Sequence, residues 1–160
     1  MEEAIQSVAV RRPRGMMSSR VDEKGRLKLP VEIQRYLEST DAKDVFITSF
    51  EGRIARIYSI PEWEAAEALL ESPAEDAIDG ADLHYKAQYY GADAQIDGQG
   101  RLLMPTTLRR AMGVENQPVL LSFIRGHIEV FSQAVHEQKM GRAEQDADEK
   151  LTKFVNRGLR

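Results

Sequence analysis

A ten-residue pattern occurs twice in this chain, and its second copy begins 75 residues after the first. The first copy reads Val-Asp-Glu-Lys-Gly-Arg-Leu-Lys-Leu-Pro over residues 21–30, and the second reads Ile-Asp-Gly-Gln-Gly-Arg-Leu-Leu-Met-Pro over residues 96–105. The apolar segments that follow each copy repeat too, with an offset that slips by a residue or two. A fixed internal period is typical of a duplicated structural unit. The fold is therefore expected to consist of two copies of one small unit.

The turn chemistry predicts the shape of that unit. Asp bonds to backbone N–H groups ahead of it and Gly supplies a positive-φ position, so Asp-x-x-Gly after a β-run predicts a tight turn. The alternation of apolar and polar residues over 26–29 predicts a half-buried strand. Pro30 and Pro105 are suited to the first position of a helix. Each unit is expected to run strand, tight turn, strand and short helix, with a basic residue beside the turn.

Two helices are expected between the copies. Pro61 opens the first, and Ser72-Pro73 ends it. A polar linker then runs to about Gly80. The second, shorter helix is expected to end at Gly91, in the C′ position that favours glycine.

Composition excludes several classes of protein. The 160 residues include no cysteine, which rules out structural disulfides and thiolate metal sites. His84, His127 and His136 lack the i, i+4 spacing of a helical metal pair, so neither a metal nor a cofactor is expected. No apolar run approaches the roughly 18 residues of a membrane span, and no apolar leader opens the sequence. No nucleophile elbow or phosphate-binding loop is present, so we expect neither enzyme activity nor a small-molecule substrate. With no predicted membrane span or leader, we expect a cytoplasmic protein.

Charge is unevenly distributed along the chain, although its net value is −4. Residues 10–30 hold seven basic and two acidic residues, a local charge of +5. Residues 61–82 hold eight acidic residues and no Lys or Arg, a local charge of −8. A basic face around the first turn is compatible with DNA binding despite the acidic total.

The chain is expected to divide into five segments. A flexible, basic N-terminal arm is predicted over residues 1–13, because proline interrupts its arginine run. The first repeat with its following helix is predicted over 14–72, the linker with its short helix over 73–91, and the second repeat over 92–132. The last segment, 133–160, is predicted to be an amphipathic helix that packs on its own chain or on a neighbouring subunit. Its apolar residues recur at helical spacing: Met140, Ala143, Ala147, Leu151, Phe154 and Val155.

With two Asp-x-x-x-Arg turns, each followed by Pro four residues after the Arg, the chain resembles the MraZ family of the AbrB-like superfamily over about residues 14 to 132. The resemblance implies an α+β fold in which two AbrB-like, swapped-hairpin β repeats form a pseudo-dimeric barrel, with short helices and a C-terminal helix. It also implies a ring-shaped homo-oligomer. The implied function is a transcriptional repressor that binds double-stranded DNA at short direct repeats upstream of the division and cell-wall gene cluster. Such a protein is expected to be cytoplasmic and associated with the nucleoid.

The resemblance places the DNA contacts on Arg26 and Arg101, the arginines of the two turns. Arg can bond bidentately to guanine or clamp a phosphate, and it can also pair with the Asp of its motif and stiffen the turn. The other basic residues near the motifs are expected to contact phosphate, which positions a protein without reading sequence. The predicted DNA-binding residues are Arg26, Arg101, Lys24, Arg20, Lys28 and Arg109.

The two turns are not equal in charge. Lysines flank Arg26 on both sides, whereas Gln99 and Leu103 occupy the matching positions around Arg101. Arg109, whose counterpart in the first copy is uncharged, is expected to add some charge around the second turn. The first turn is therefore expected to lie in the more positive field.

An antitoxin-type protein-interaction module is the alternative function, because such proteins share the hairpin of the superfamily. They usually combine one repeat with a tail that wraps a toxin and is disordered without it. Two repeats and a regular amphipathic tail favour the DNA-binding regulator instead.

Overall fold

The computed structural model describes residues 11–40, 43–72 and 75–160, and these residues form an α+β fold, as the sequence predicts. The first copy contributes β1 (Met17–Arg20), β2 (Arg26–Lys28), α1 (Val31–Ser39), β3 (Asp44–Thr48) and β4 (Ile54–Ser59). Two helices follow, α2 (Ile60–Leu70) and α3 (Ala77–Tyr90). The second copy repeats the order with β5 (Ala92–Gln95), β6 (Arg101–Leu103), α4 (Thr106–Met112), β7 (Pro118–Ile124) and β8 (His127–Ser132). The tail adds α5 (Gln133–Glu144) and α6 (Ala147–Val155).

The main sheet interleaves the two copies. Its six antiparallel strands lie in the order β1-β7-β8-β4-β3-β5, so the first strand of each copy pairs with the third strand of the other. Met17 lies opposite Leu121 where β1 meets β7, and Ala92 lies opposite Ile47 where β5 meets β3. The strand order reads the same when the copies are exchanged, which places a pseudo-two-fold axis between β4 and β8. Each copy therefore completes the sheet of the other.

The predicted pseudo-dimeric barrel is not confirmed. No strand pairing among the described residues joins β1 to β5, so the six-stranded sheet is open at both edges. The remaining strands, β2 and β6, pair with each other in a separate two-stranded ribbon.

The main core lies between this ribbon and the sheet. Leu27 pairs with Leu102 at the centre of the ribbon, and both side chains are completely buried. Helices α1 and α4 add Ile33 and Leu108 to the same cluster. Because buried apolar surface contributes roughly 25 cal/mol per Å², this shared core ties the ribbon firmly to the sheet.

A second, aromatic cluster fixes helices α2 and α3. Trp63 of α2 stacks on Phe46 with ring centroids 4.6 Å apart, and Tyr58 lies 5.1 Å from the same indole. Ala87 of α3 is fully buried in the cluster. The Ser59 side chain caps α2 by accepting a hydrogen bond from a backbone N–H of its first turn.

Helix α3 begins earlier than the sequence pattern predicts, because Gly80 lies inside it rather than in a linker. A Cβ at Gly80 would lie 2.2 Å from the carbonyl oxygen of Leu70, so glycine allows α3 to pass close to the end of α2. Helix α3 ends at Gly91, as predicted, and the backbone of Gly91 is extended with φ −93°. Glycine is needed there because a Cβ would lie 2.4 Å from the ring of Phe46.

The tail forms two helices where one was predicted. Asp146 adopts a left-handed conformation with φ 54° and separates α5 from α6. Val135 of α5 packs on the chain itself, in a cluster with Ile54 and Phe131. Helix α6 buries no side chain, and it leaves Phe154 52% exposed.

Residues 1–10 of the predicted arm and residues 73–74 of the predicted linker lie outside the described residues. Among the helices that the structure describes, none is both long enough and apolar enough to cross a membrane. The predicted segment boundaries between the repeats remain a prediction, because the sheet joins both copies.

Candidate nucleic-acid interface

The first Asp-x-x-x-Arg turn is closed by its own aspartate. The Asp22 carbonyl accepts a hydrogen bond from the Gly25 N–H at 3.0 Å, and Gly25 has the positive φ, +83°, that the sequence predicts. One carboxylate oxygen, Oδ1, accepts from the backbone N–H groups of Lys24 and Arg26 at 2.9 and 2.8 Å. The other, Oδ2, accepts from the Arg26 side-chain Nε at 2.9 Å. Asp22 therefore shapes the turn and also orients the arginine.

The second turn repeats this geometry. Asp97 Oδ1 accepts from the N–H groups of Gln99 and Arg101, both at 2.9 Å, and Gly100 has φ +73°. The distance between Arg101 Nε and Asp97 Oδ2 is 3.3 Å, longer than in the first turn. The duplication in sequence is thus a duplication in atomic detail.

These hydrogen bonds keep both aspartates charged. The backbone N–H of Arg26 is the largest cause that lowers the pKa of Asp22 below its ordinary 3.8, with desolvation opposing it and the Arg26 side chain adding to it. The backbone N–H of Arg101 likewise lowers the pKa of Asp97. A carboxylate bound to several donors favours its ionised form. Each arginine therefore has an anionic anchor at neutral pH.

The ribbon presents both arginines on one face. In an antiparallel pair, opposite residues point to the same side and neighbours along a strand alternate. Because Leu27 and Leu102 point into the core, the flanking positions point outward. This outer face of the ribbon consists of the pairs Arg26 with Leu103 and Lys28 with Arg101. Three cations and one exposed leucine thus lie together on a protein of net charge −4.

Two residues of the short helices support the turns from behind, and they do so across the copies. A Cβ on Gly25 would lie 2.5 Å from the guanidinium carbon of Arg109, and a Cβ on Gly100 would lie 2.2 Å from the side-chain nitrogen of Gln34. Arg109 Nη1 donates to the Met104 carbonyl and Gln34 Nε2 to the Leu29 carbonyl, each at 2.6 Å. The two side chains therefore have equivalent structural positions under opposite turns.

The expectation that Arg109 adds charge around the second turn is wrong. Because the repeats are interleaved, α4 of the second copy lies under the turn of the first copy, and Arg109 contacts Gly25. Its side chain is only 17% exposed and also approaches Glu115, with Nε–Oε1 at 3.8 Å. Arg109 adds its charge to the first turn, from the inside.

The remaining predicted residues occupy different positions. Lys24 is exposed at the tip of the first turn. Arg20 ends β1 and donates through Nη2 to the carbonyl of Asn116 at 2.9 Å, which fixes it against the loop before β7. Lys28 Nζ donates to the carbonyl of Gln99, so it joins the ribbon to the second turn. The structure brings Lys24 and Lys28 to the turns and places Arg20 beside them at the sheet edge.

Two residues of this region, Leu103 and Gln34, were compared with their counterparts in the sequence but were not predicted to have a role at the site. Leu103 is 57% exposed on the outer face of the ribbon, and the strict alternation next to buried Leu102 is the signal that locates it. Gln34 lies 75 residues before Arg109, the same offset that relates the turns. That offset is the signal for their equivalent roles.

One group of side chains elsewhere has the composition of metal ligands. In the described part of the chain, Glu67 and Glu71 of α2 and His84 of α3 bring ligand atoms within 4.8 Å of one another. His84 Nε2 lies 3.0 Å from Glu67 Oε2, a contact that joins the two helices. We assign this cluster a structural role, as an interhelical contact.

The fold and the site define a class of protein: a duplicated strand–turn–strand–helix unit, interleaved about a pseudo-two-fold axis, with two aspartate-anchored arginines on one exposed ribbon. No family model matches the chain. It is nevertheless 36% identical to the transcriptional regulator MraZ of Acidobacterium capsulatum over 128 residues, which cover 79% of this chain and 86% of that protein. It is 35% identical over 113 residues to the MraZ regulator of Koribacter versatilis, covering 70% and 77% of the two chains, and 32% identical over 141 residues to that of Desulfosudis oleivorans, covering 85% and 90%. The chain belongs to the MraZ family.

Proposed function

We propose that this protein is a sequence-specific DNA-binding transcriptional regulator, which represses the division and cell-wall gene cluster as a ring-shaped homo-oligomer on promoter direct repeats. The observation that carries the proposal is the outer face of the ribbon, where Arg26, Lys28 and Arg101 lie together. The relatives named transcriptional regulators support it. A protein with this function acts on chromosomal DNA, so we place it in the cytoplasm, at the nucleoid.

The ribbon has the right shape for this role. The major groove of B-DNA is about 12 Å wide and admits a two-stranded β-ribbon. The ribbon stands on a buried core, so it meets DNA as a preformed surface rather than a loop that must be ordered on binding.

Each turn leaves part of its arginine available to DNA. Asp22 binds the Nε of Arg26, and none of the described residues forms a hydrogen bond with the two terminal nitrogens of that guanidinium. Those nitrogens are the ones that form bidentate bonds with guanine O6 and N7. The aspartate therefore orients the arginine by one edge and leaves the other edge to read a base.

A single subunit offers few contacts, so affinity must come from several subunits. Linking binding units raises the effective concentration of the second after the first has bound. A ring that places turns at the spacing of direct repeats converts weak contacts into tight, site-specific binding.

The experiment is a titration of the duplex upstream of the protein's own gene, at several salt concentrations, with footprinting on the same fragment. Each phosphate neutralised by a cation adds about 0.9 to the slope of log affinity against log salt. We expect a steep slope and protection at repeated short sequences. A flat slope, or equal affinity for a scrambled duplex, would show that the ribbon does not bind DNA in this way.

The antitoxin alternative gains no support from the structure. Its tail is expected to be disordered without a partner, whereas the tail here forms α5 and α6 and packs Val135 into a cluster of the same chain.

A further inference from the structure

A second basic surface lies away from the ribbon, in a groove between the turn that joins β3 to β4 and the two tail helices. We propose that this groove, the tail groove, is a second phosphate-binding site. Its volume is about 850 Å³, and its four cations come from three elements: Arg53, Lys139, Arg142 and Lys150. Of the described residues that line it, none carries a carboxylate.

Two of the four cations, Arg53 and Lys150, are held in place by uncharged partners. Arg53 donates through Nη2 to the amide oxygen of Gln138, which joins the β-turn to α5. Lys150 of α6 donates to the carbonyls of Arg142 and Ala143 at 3.2 and 3.4 Å, which fixes α6 against the end of α5. Because these partners are neutral, and no carboxylate of the described residues forms an ion pair with Arg53 or Lys150, both side chains keep their positive charge.

Lys139 differs from these two cations, because a nearby carboxylate neutralises part of its charge. Its Nζ lies 4.0 Å from Glu129 Oε1, at the limit of an ion pair, and 5.8 Å from the centre of the Phe131 ring. The Glu129 side chain is 10% exposed and also contacts His127 Nε2 at 3.2 Å. The groove therefore keeps most of its positive charge.

The internal duplication supplies a comparison within the molecule. The pseudo-two-fold axis relates the β3–β4 turn beside α5 to the β7–β8 turn beside α2. At that equivalent place Gly126 lies next to Glu62, with 3.1 Å between a built Cβ and Oε2. Helix α2 contains no Lys or Arg, whereas α5 contains Lys139 and Arg142. The basic charge of the tail groove is therefore a property of this sequence and not a consequence of the fold.

The groove lies at the same end of the main sheet as the first turn. In the strand order β1-β7-β8-β4, the end of β1 lies beside the start of β7, which lies beside the end of β8, which lies beside the start of β4. The end of β1 and the start of β4 are therefore three strand spacings apart, as the pairs Arg20–Pro118, Val119–Ser132 and Phe131–Ile54 show. Neighbouring strands are about 4.8 Å apart, which separates the two by roughly 14 Å across the sheet. Two sources of phosphate fit this position: the backbone of a duplex that also contacts the ribbon, and a free polyphosphate.

The test compares two double variants of the full chain that lose the same charge. Arg53→Gln with Arg142→Gln removes two cations of the groove and leaves Lys150, which holds α6. The matched control, Arg125→Gln with Lys153→Gln, removes an arginine from the equivalent β7–β8 turn and a lysine from α6. Circular dichroism and light scattering confirm that each variant keeps its helices and its assembly, and the single variant Arg53→Gln replaces the double one if it does not fold.

Two titrations distinguish the sources of phosphate. In the first, inorganic tripolyphosphate is titrated by calorimetry without DNA, and we expect the groove variant to bind it roughly tenfold more weakly or worse, because each lost bond to a charged group contributes strongly. In the second, duplex DNA is titrated against salt, and we expect the slope to fall by about one to two. Weaker tripolyphosphate binding alone indicates that the groove binds a free polyphosphate. A smaller salt slope for DNA alone indicates that the groove binds the DNA backbone. Loss in both supports a site that accepts either.

Two outcomes overturn the inference. If the groove and control variants match in both titrations, the groove binds no phosphate. If instead the groove variant alone loses mass by light scattering, the groove is a contact between subunits and not a phosphate site. The inference does not rest on the proposed function, because an Arg26→Ala and Arg101→Ala double variant should lose DNA recognition and keep tripolyphosphate binding.

Discussion

At the scale of single residues, each of the two turn aspartates has two structural roles. Each closes its turn through one carboxylate oxygen and orients an arginine through the other. A substitution in these turns must therefore be separated into its effect on the turn and its effect on the arginine.

We predict that Arg26→Ala weakens DNA binding more than Arg101→Ala. Arg26 lies beside Lys24, and Arg109 contacts Gly25 from behind, so the first turn has the more positive field. Its pair with Asp22 is also shorter, at 2.9 Å against 3.3 Å, which fixes the guanidinium more closely. The measurement is a titration of each variant with one duplex at fixed salt, after light scattering has shown the assembly to be intact. If Arg101→Ala lowers the DNA affinity as much as Arg26→Ala or more, local charge does not decide which turn contributes more to DNA binding.

We predict that Asp22→Asn changes the pH dependence of stability. The folded protein lowers the pKa of Asp22, so the stability this carboxylate contributes is present above its ordinary pKa and is lost as the pH falls through the folded value. The variant should melt below the unmodified protein near neutral pH, and the difference should shrink on acidification. Thermal unfolding at a series of pH values from about 7 to about 3 measures it.

Glu23→Gln is the control for that experiment, since it removes the same charge from the next position of the same turn. The difference in melting temperature between Glu23→Gln and the unmodified protein should stay the same at every pH of the series. A difference for Asp22→Asn that stays constant with pH would contradict the assignment of Asp22 as the anchor of the turn.

At the scale of elements, close approach of backbones decides where helices lie. Helix α3 crosses the end of α2 at Gly80, and α5 carries Gly141 on an open surface. The same substitution at these two glycines therefore separates packing from helix propensity.

We predict opposite effects for Gly80→Ala and Gly141→Ala. At Gly80 the new methyl group would lie 2.2 Å from the Leu70 carbonyl oxygen, and the forced shift should cost about 1–3 kcal/mol of unfolding free energy. At Gly141 nothing lies within 4 Å, so alanine should stabilise the helix by about 0.5–1 kcal/mol. Urea denaturation of both variants checks the signs. Stabilisation by Gly80→Ala would mean that the two helices separate easily.

At the scale of the whole molecule, the chain leaves surfaces that a neighbouring copy can cover. The outer edges of β1 and β5 have no partner strand among the described residues, and α6 presents Leu151, Phe154 and Val155 about half exposed. Unpaired strand edges and apolar stripes favour association.

We predict a closed homo-oligomer larger than a dimer. One chain has a mass of 18.1 kDa, and light scattering over a wide range of concentrations should return a single multiple of it above two. Leu151→Gln with Phe154→Gln should reduce that mass, while Lys153→Gln on the same helix should not. A mass of one chain at every concentration would refute the prediction and the multivalent mechanism with it.

The sequence by itself determined the local chemistry of this protein. The Asp-x-x-Gly turns, the alternation along the ribbon and the predicted DNA-contacting pair Arg26 and Arg101 depend on neighbours a few residues apart, so their spacing shows in the chain. The 75-residue offset also revealed the duplication, and the resemblance carried by its two motifs implied the α+β class.

Only the tertiary structure decided how the copies combine. That β1 pairs with β7, and that Arg109 lies under Gly25 rather than beside Arg101, depends on contacts between residues more than 80 positions apart. No local pattern encodes such contacts, because swapped and unswapped hairpins bury the same alternating residues. Two further features also depend on tertiary contacts. Gly80 is required by the backbone of α2, and the tail groove is formed by cations from separate elements that packing brings together.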